Sequence, residues 1–157
     1  MRRLYRILAH LIALEVVVQA AALAYAFAGL DHWVQHGGVL DSAAMDSDKP
    51  PFPELTGFIV HGINGSIVVP ALALLLLVFS LFAKVPGGVK WAGAVFGLVA
   101  VQALLGYSGH DLPVLGALHG FNALLLFTAA LYTGRRARVR ATAPADAEPA
   151  PVTTATR

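Results

Sequence analysis

Cysteine is absent from all 157 residues, which excludes disulfides, thiolate metal sites and cysteine nucleophiles. Charge is scarce as well: 13% of residues are charged against 57% hydrophobic, and the mean hydropathy is +0.70. So large an apolar share exceeds what a soluble domain of this size buries and points to an integral membrane protein. No Walker loop, dinucleotide fingerprint, carboxylate pair or nucleophile beside a base is spelled anywhere. The chain is therefore not expected to be an enzyme on its own. Its arginines adjoin apolar runs instead of forming a separate basic stripe, which argues against nucleic acid as a partner.

What remains is mostly membrane span. Four stretches, near 7–30, 57–83, 89–107 and 115–132, reach the roughly 20 residues a helix needs to cross a bilayer. Isolated spans of this kind satisfy their backbone groups only as helices. The expected fold is all-α: a four-helix transmembrane bundle over residues 1–135 with a disordered tail, 136–157, rich in Ala, Pro and Thr. Met1-Arg2-Arg3 and the following apolar run resemble a signal peptide. That run is about twice the usual core length and carries Glu15 and Gln19, so it is read as an uncleaved anchor.

Lysine and arginine set the orientation. They flank span one at Arg2, Arg3 and Arg6, the second loop at Lys84 and Lys90, and the end of span four from Arg135 to Arg140. The other two loops hold Lys49 alone among five aspartates and Glu54. The positive-inside rule then puts both termini in the cytoplasm of a multi-pass cell-membrane protein. Pro53 and Pro113 fall in the first turns of spans two and four, with Asp111 expected to cap the latter. Pro70 is expected to kink span two.

One phrase is said twice. His61-Gly62-Ile63-Asn64 opens span two, and His119-Gly120-Phe121-Asn122 opens span four, 58 residues on (61 to 119). Gln19 in span one and Gln102 in span three match in the same way, 83 residues apart. The chain thus reads as a tandem parallel repeat of two helices, with a pseudo-axis along the membrane normal. That arrangement sets His61 and His119 at one depth, near the outer side, on helices that face each other.

Two opposed neutral imidazoles are the donor set of a low-spin haem b iron. Gly62 and Gly120, with Gly57, Gly65 and Gly116 nearby, would admit a flat macrocycle. Asn64, Asn122, Gln19 and Gln102 would orient the imidazoles or meet the macrocycle edge. The preferred expectation is one haem b on His61 and His119, serving electron transfer or haem handling with a redox or membrane-protein partner. Two others stand beside it: a scaffold or accessory subunit using the same residues as interhelical glue, and a small proton-coupled transporter using Glu15 and His10. Three outer-loop histidines, His32, His36 and His110, with Asp111, are weighed as a surface zinc or copper site.

From Arg2-Arg3-Leu4-Tyr5-Arg6-Ile7-Leu8-Ala9-His10 through Gln19, His61-Gly62 and Gln102 to Gly116-Ala117-Leu118-His119-Gly120-Phe121-Asn122-Ala123, the chain resembles a family of small four-span bacterial membrane proteins of unknown function. In architecture it also resembles one four-helix half of haem A synthase. That likeness implies haem ligands at His61 and His119. It departs where that family's catalytic outer-loop glutamate would stand, a place held here by Phe58, and in lacking an outer-loop cysteine pair.

Overall fold

The structure, a computed structural model, describes residues 1–47 and 49–137. Four helices are long and apolar enough to cross a membrane: Arg2–Gln35, the composite Pro53–Ser80, Gly88–Ser108 and Pro113–Arg136. We label the α-helices in chain order as α1 (Arg2–Gln35), α2 (Ser42–Met45), α3 (Thr56–Ile63), α4 (Val69–Ser80), α5 (Gly88–Ser108) and α6 (Pro113–Arg136). Span two comprises a 3-10 turn Pro53–Leu55, then α3, a π turn Asn64–Val68 and α4. The 34 residues of α1 run roughly 50 Å at 1.5 Å per residue, well beyond a hydrocarbon core of about 30 Å. The helix is therefore longer than the apolar layer is thick. Residues 138–157, most of the expected tail, lie outside the described residues.

Each helix stops for a local reason. His36 caps α1 and Gly37 follows at φ 92°, a left-handed turn that glycine adopts without strain. The chain then folds back: Gly38 N–H donates to Trp33 O at 3.0 Å, and the Trp33 ring lies 5.5 Å from Phe52. Pro53 and Pro113 each occupy the start of a helix, where the missing N–H costs nothing. Asp111 does not cap α6. The N-cap is Leu112, without a side-chain bond, because Asp111 is taken up in the preceding turn through its N–H to Ser108 O.

The helices form a ring in the order α1, span two, α5, α6, each packed on its two neighbours. Span two thus stands diagonally across from α6, and α1 across from α5. The ring is closed at the arginine-rich end. There Tyr5 Oη donates to Gly88 O at 3.0 Å, and two arginines hold the turn between α4 and α5. Arg2 donates to Lys84 O at 2.8 Å and Arg136 to Pro86 O at 3.1 Å. The main apolar core fills this same end, with Ala9, Ile12, Ala73, Leu76, Ala92, Val95 and Ala130 inaccessible to solvent.

The π turn decides which face of span two looks inward. Along α6 the inward residues are His119, Asn122, Leu126, Ala130 and Thr133, at helical steps of three and four. Along span two they are Gly57, His61, Asn64, Val69, Ala73 and Leu76, with one step of five between Asn64 and Val69. That extra residue is absorbed where Val69 N–H reaches back five residues to Asn64 O. Pro70 follows directly and has no N–H to give. An uninterrupted α-helix running back from Val69 would present Phe58 and Gly62 instead. Where a plain kink was expected at Pro70, the helix carries a π bulge and a change of phase.

Candidate functional site

His61 and His119 meet across the diagonal of the bundle. Their ring centroids are 5.9 Å apart and the ring planes are inclined at 63°. Each ring is anchored from behind by the preceding spanning helix in the chain, α1 for His61 and α5 for His119. His61 Nδ1 lies 3.3 Å from Gln19 O, and His119 Nδ1 lies 2.9 Å from Gln102 O. A ring nitrogen that donates to a carbonyl keeps its hydrogen, so the other nitrogen, Nε2, is left as the lone-pair donor. Nε2 of neither ring is engaged by a hydrogen bond among the described residues.

The amides form a second layer one turn further in. Asn122 is 5% exposed and donates to both Gln102 Oε1, at 2.6 Å, and Leu98 O, at 3.0 Å. Asn64, its counterpart, donates to Glu15 Oε2 at 2.5 Å. With the Gln19 amide turned so that its oxygen meets donors, that oxygen accepts from Gly65 N at 2.8 Å and Asn64 Nδ2 at 3.2 Å. In that orientation the Gln19 amide nitrogen also approaches His61 Nδ1 at 2.5 Å. Nδ1 of His61 is therefore offered both a carbonyl and an amide donor, whereas Nδ1 of His119 has the carbonyl alone.

The glycines divide into three uses. A Cβ at Gly57 would stand 2.3 Å from Ala22 O, so this glycine lets α3 cross α1 backbone to backbone. A Cβ at Gly106 would come 3.0 Å from His119 Cε1, and one at Gly65 would touch the Gln19 amide at 3.5 Å. At Gly62, Gly116 and Gly120 an added Cβ would meet nothing within 4 Å. The glycines beside the two histidines thus border open space, and Gly106, which faces the His119 ring, is pressed close. Gly106 was not among the residues singled out from sequence. Its signal there is slight: a glycine one turn beyond Gln102 where span one has Leu23.

Other sequence candidates fall elsewhere. His10 sits in the seam between α1 and α6, its ring filling the space over Gly134 and its Nδ1 2.6 Å from Arg6 O. It shares no hydrogen bond with Glu15 among the described residues, so the two form no direct relay. His32 and His36 stack at 4.2 Å at the exposed end of α1, with His36 Nδ1 held by His32 O at 2.7 Å. Among the described residues no three His, Asp or Glu side chains converge as a metal site, so the outer-loop set with His110 and Asp111 is not assembled.

The histidine pair can be tested against the group it was expected to hold. Two iron–nitrogen bonds of about 2 Å put the ligand nitrogens roughly 4 Å apart, and the ring centroids about 6 Å apart. The observed 5.9 Å matches that distance. The donor chemistry fits at His119, whose Nδ1 meets a carbonyl alone; at His61 it depends on Nδ1 donating to Gln19 O and not accepting from the Gln19 amide. No protein-family model, curated protein or solved structure matches this chain.

Proposed function

We propose that this four-helix membrane bundle is a cytochrome b-like protein that binds one haem b between span two and α6, with His61 and His119 as axial ligands. The observation that carries the proposal is the 5.9 Å separation of two rings, each with Nδ1 near the backbone carbonyl of a glutamine on the neighbouring helix. Haem b would supply a one-electron couple. The chain's own residues would do the rest. Gln19 O and Gln102 O hold the imidazoles at one rotation, Asn64 and Asn122 brace those glutamines, and Gly62 and Gly120 leave room beside the ligands. The biological role is electron transfer or haem handling with a redox or membrane-protein partner. The fold likeness to half of haem A synthase is one of architecture, and membership of the small four-span family remains part of the proposal.

A tandem two-helix origin with both termini cytoplasmic belongs to the same proposal. Supporting the repeat, buried Ala9 and Ile12 of α1 stand 83 residues before buried Ala92 and Val95 of α5. Ala73 and Leu76 likewise stand 57 residues before Ala130 and Thr133, one fewer than the histidine spacing because of the π residue. Supporting the orientation, every Lys and Arg at the spans' ends gathers at the closed end. The site then lies toward the outer leaflet.

The alternative is a scaffold or accessory subunit, favoured by the amide pairs, which already satisfy one another. An absorbance spectrum of protein purified from haem-replete cells separates the two. Haem binding predicts a Soret band and sharp reduced α and β bands, lost in both His61→Ala and His119→Ala. Clean apoprotein would overturn it and leave the scaffold.

A further inference from the structure

The closed end carries a groove on its outer surface, away from the histidine pair. Arg6, Ile7, His10, Leu11 and Leu14 line it, all from α1. Steps of three and four residues put them on one stripe of the helix, roughly 12 Å long from Arg6 to Leu14. The stripe is charged at one end only. Arg6 stands at its mouth, near the start of the helix, and Ile7, Leu11 and Leu14 continue it toward the middle of the membrane. His10 is folded down between them. Its Nδ1 lies 2.6 Å from Arg6 O, and its ring rests in the seam with α6 over Gly134. An added Cβ at Gly134 would collide with Cε1 of that ring, so a side chain there would drive the imidazole out into the groove.

Charge decides what can occupy it. Seven basic side chains gather at the closed end, from α1, the turn between α4 and α5, the start of α5 and the end of α6. No carboxylate lies there among the described residues. The first on α1, Glu15, is nine residues from Arg6, roughly 13 Å along the axis. Two of the arginines are engaged within the chain: Arg2 donates to Lys84 O, and Arg136 to Pro86 O and Tyr132 Oη. The Arg6 guanidinium makes no such bond among the described residues. At the end of a spanning helix the neighbours are lipids, and basic sites in that position attract anionic headgroups. The groove is also small for a compact ligand, at about 290 Å³ and open along its side. Its narrow apolar length suits an acyl chain.

We propose that this groove binds one anionic phospholipid, with the phosphate at Arg6 and one acyl chain along Ile7, Leu11 and Leu14. A zwitterionic lipid offers the same chains and the same phosphate. Its own ammonium, however, is repelled by the cluster of basic side chains, so the anionic class is preferred. Nothing in this site depends on what His61 and His119 hold.

The test is native mass spectrometry of the full chain released from micelles that contain equal amounts of dioleoyl phosphatidylglycerol and dioleoyl phosphatidylcholine. The wild type should retain one phosphatidylglycerol in preference. Arg6→Gln should weaken that retention about fivefold, the usual contribution of one basic residue beside an anionic surface. Lys90→Gln removes the same charge from α5, across the ring from α1, and should leave retention in place. Unchanged retention in Arg6→Gln overturns the proposal. So does an equal loss in Lys90→Gln, which would mean diffuse attraction without a site. Leu11→Trp fills the groove, leaves every charge where it was, and decides the matter even if Arg6→Gln does not fold. It should lose the lipid, and a Leu11→Trp protein that keeps it overturns the proposal. Glycerol phosphate, which has the headgroup chemistry and no chains, should not displace the bound lipid; displacement would overturn the lipid assignment.

Discussion

The two ends of the bundle are packed by different rules. At the arginine-rich end, Tyr5, Leu8, Ala9, Ile12, Val69, Ala73, Leu76, Ala92, Val95, Leu126 and Ala130 interlock, and alanines at the crossings let the larger side chains fill the gaps. At the histidine end the interior is made of glycines, amides and imidazoles, and few apolar side chains are buried there beyond Ala26 and Phe52. In lipid the hydrophobic effect does not drive helices together. Association rests on close packing and interhelical hydrogen bonds, and each end relies on one of these. The closed end holds the fold, and the histidine end is left free to hold something else.

That contrast is broken most directly at Leu76, which is inaccessible to solvent. Leu76→Ala should destabilise the bundle by about 2–5 kcal/mol, the usual range for a buried leucine truncated to alanine. Ile63→Ala, at a residue 57% exposed on the histidine half of the same span, should change stability by no more than about 0.5 kcal/mol. Reversible unfolding in mixed micelles measures both. Equal losses would mean that the two ends share the stability evenly.

Gly57 sharpens the comparison as the exception. It lies at the histidine end, yet an added Cβ would stand 2.3 Å from Ala22 O and 2.9 Å from Ala26 Cβ. Neither a carbonyl nor a short alanine can swing aside. Gly57→Ala should therefore cost about 1–3 kcal/mol by overpacking, whereas Gly62→Ala and Gly120→Ala, with nothing in reach, should cost little. A thermal unfolding series of the three variants checks the order.

Much of this was legible in the sequence, and the rest has a physical reason for being hidden. Span number follows from apolar length. The pairing of His61 with His119 follows from a phrase said twice. The π turn at Asn64–Val68 was not visible, because Pro70 announces a disturbed helix without saying whether the chain bends or gains a residue. The one textual trace is the shift from a 58-residue spacing at the histidines to a 57-residue spacing between Ala73 and Ala130. Glu15 could be seen as a buried acid, but its partner Asn64 could not. The matched residue, Leu98, acts through its backbone carbonyl, and backbone contacts leave no residue-type signature. Asp111 had the right residue type for a cap but sits one position too early, in the turn before Leu112.

The amides should respond more gently. Asn122 is buried and donates twice, at 2.6 and 3.0 Å, whereas Asn64 is less buried and donates to Glu15, with a longer contact of 3.2 Å to the turned Gln19 amide. Interhelical hydrogen bonds in membrane proteins average about 0.6 kcal/mol. Asn122→Ala should then cost about 1 kcal/mol and Asn64→Ala about half of that. A double-mutant cycle of Asn122→Ala with Gln102→Ala should recover most of the larger value as coupling. Coupling near zero would show that the amides merely fill space.

The smallest effect on the fold should accompany a clear effect on the site. Gly106 faces His119, and a methyl there would lie 3.0 Å from Cε1 and 3.1 Å from Nδ1 of its ring. The neighbour is the side of a ring held by one hydrogen bond to Gln102 O, so it can tilt by a few tenths of an ångström at little cost in packing. Global stability should consequently change by less than about 1 kcal/mol. The tilt would nevertheless lengthen that hydrogen bond and change the orientation of the ring toward His61. In haem-loaded protein Gly106→Ala should broaden or shift the reduced α band, while Gly120→Ala, with open space beside it, should leave the band where it was. An unchanged spectrum in Gly106→Ala would mean that His119 is not set by this contact, and that its orientation depends on Gln102 alone.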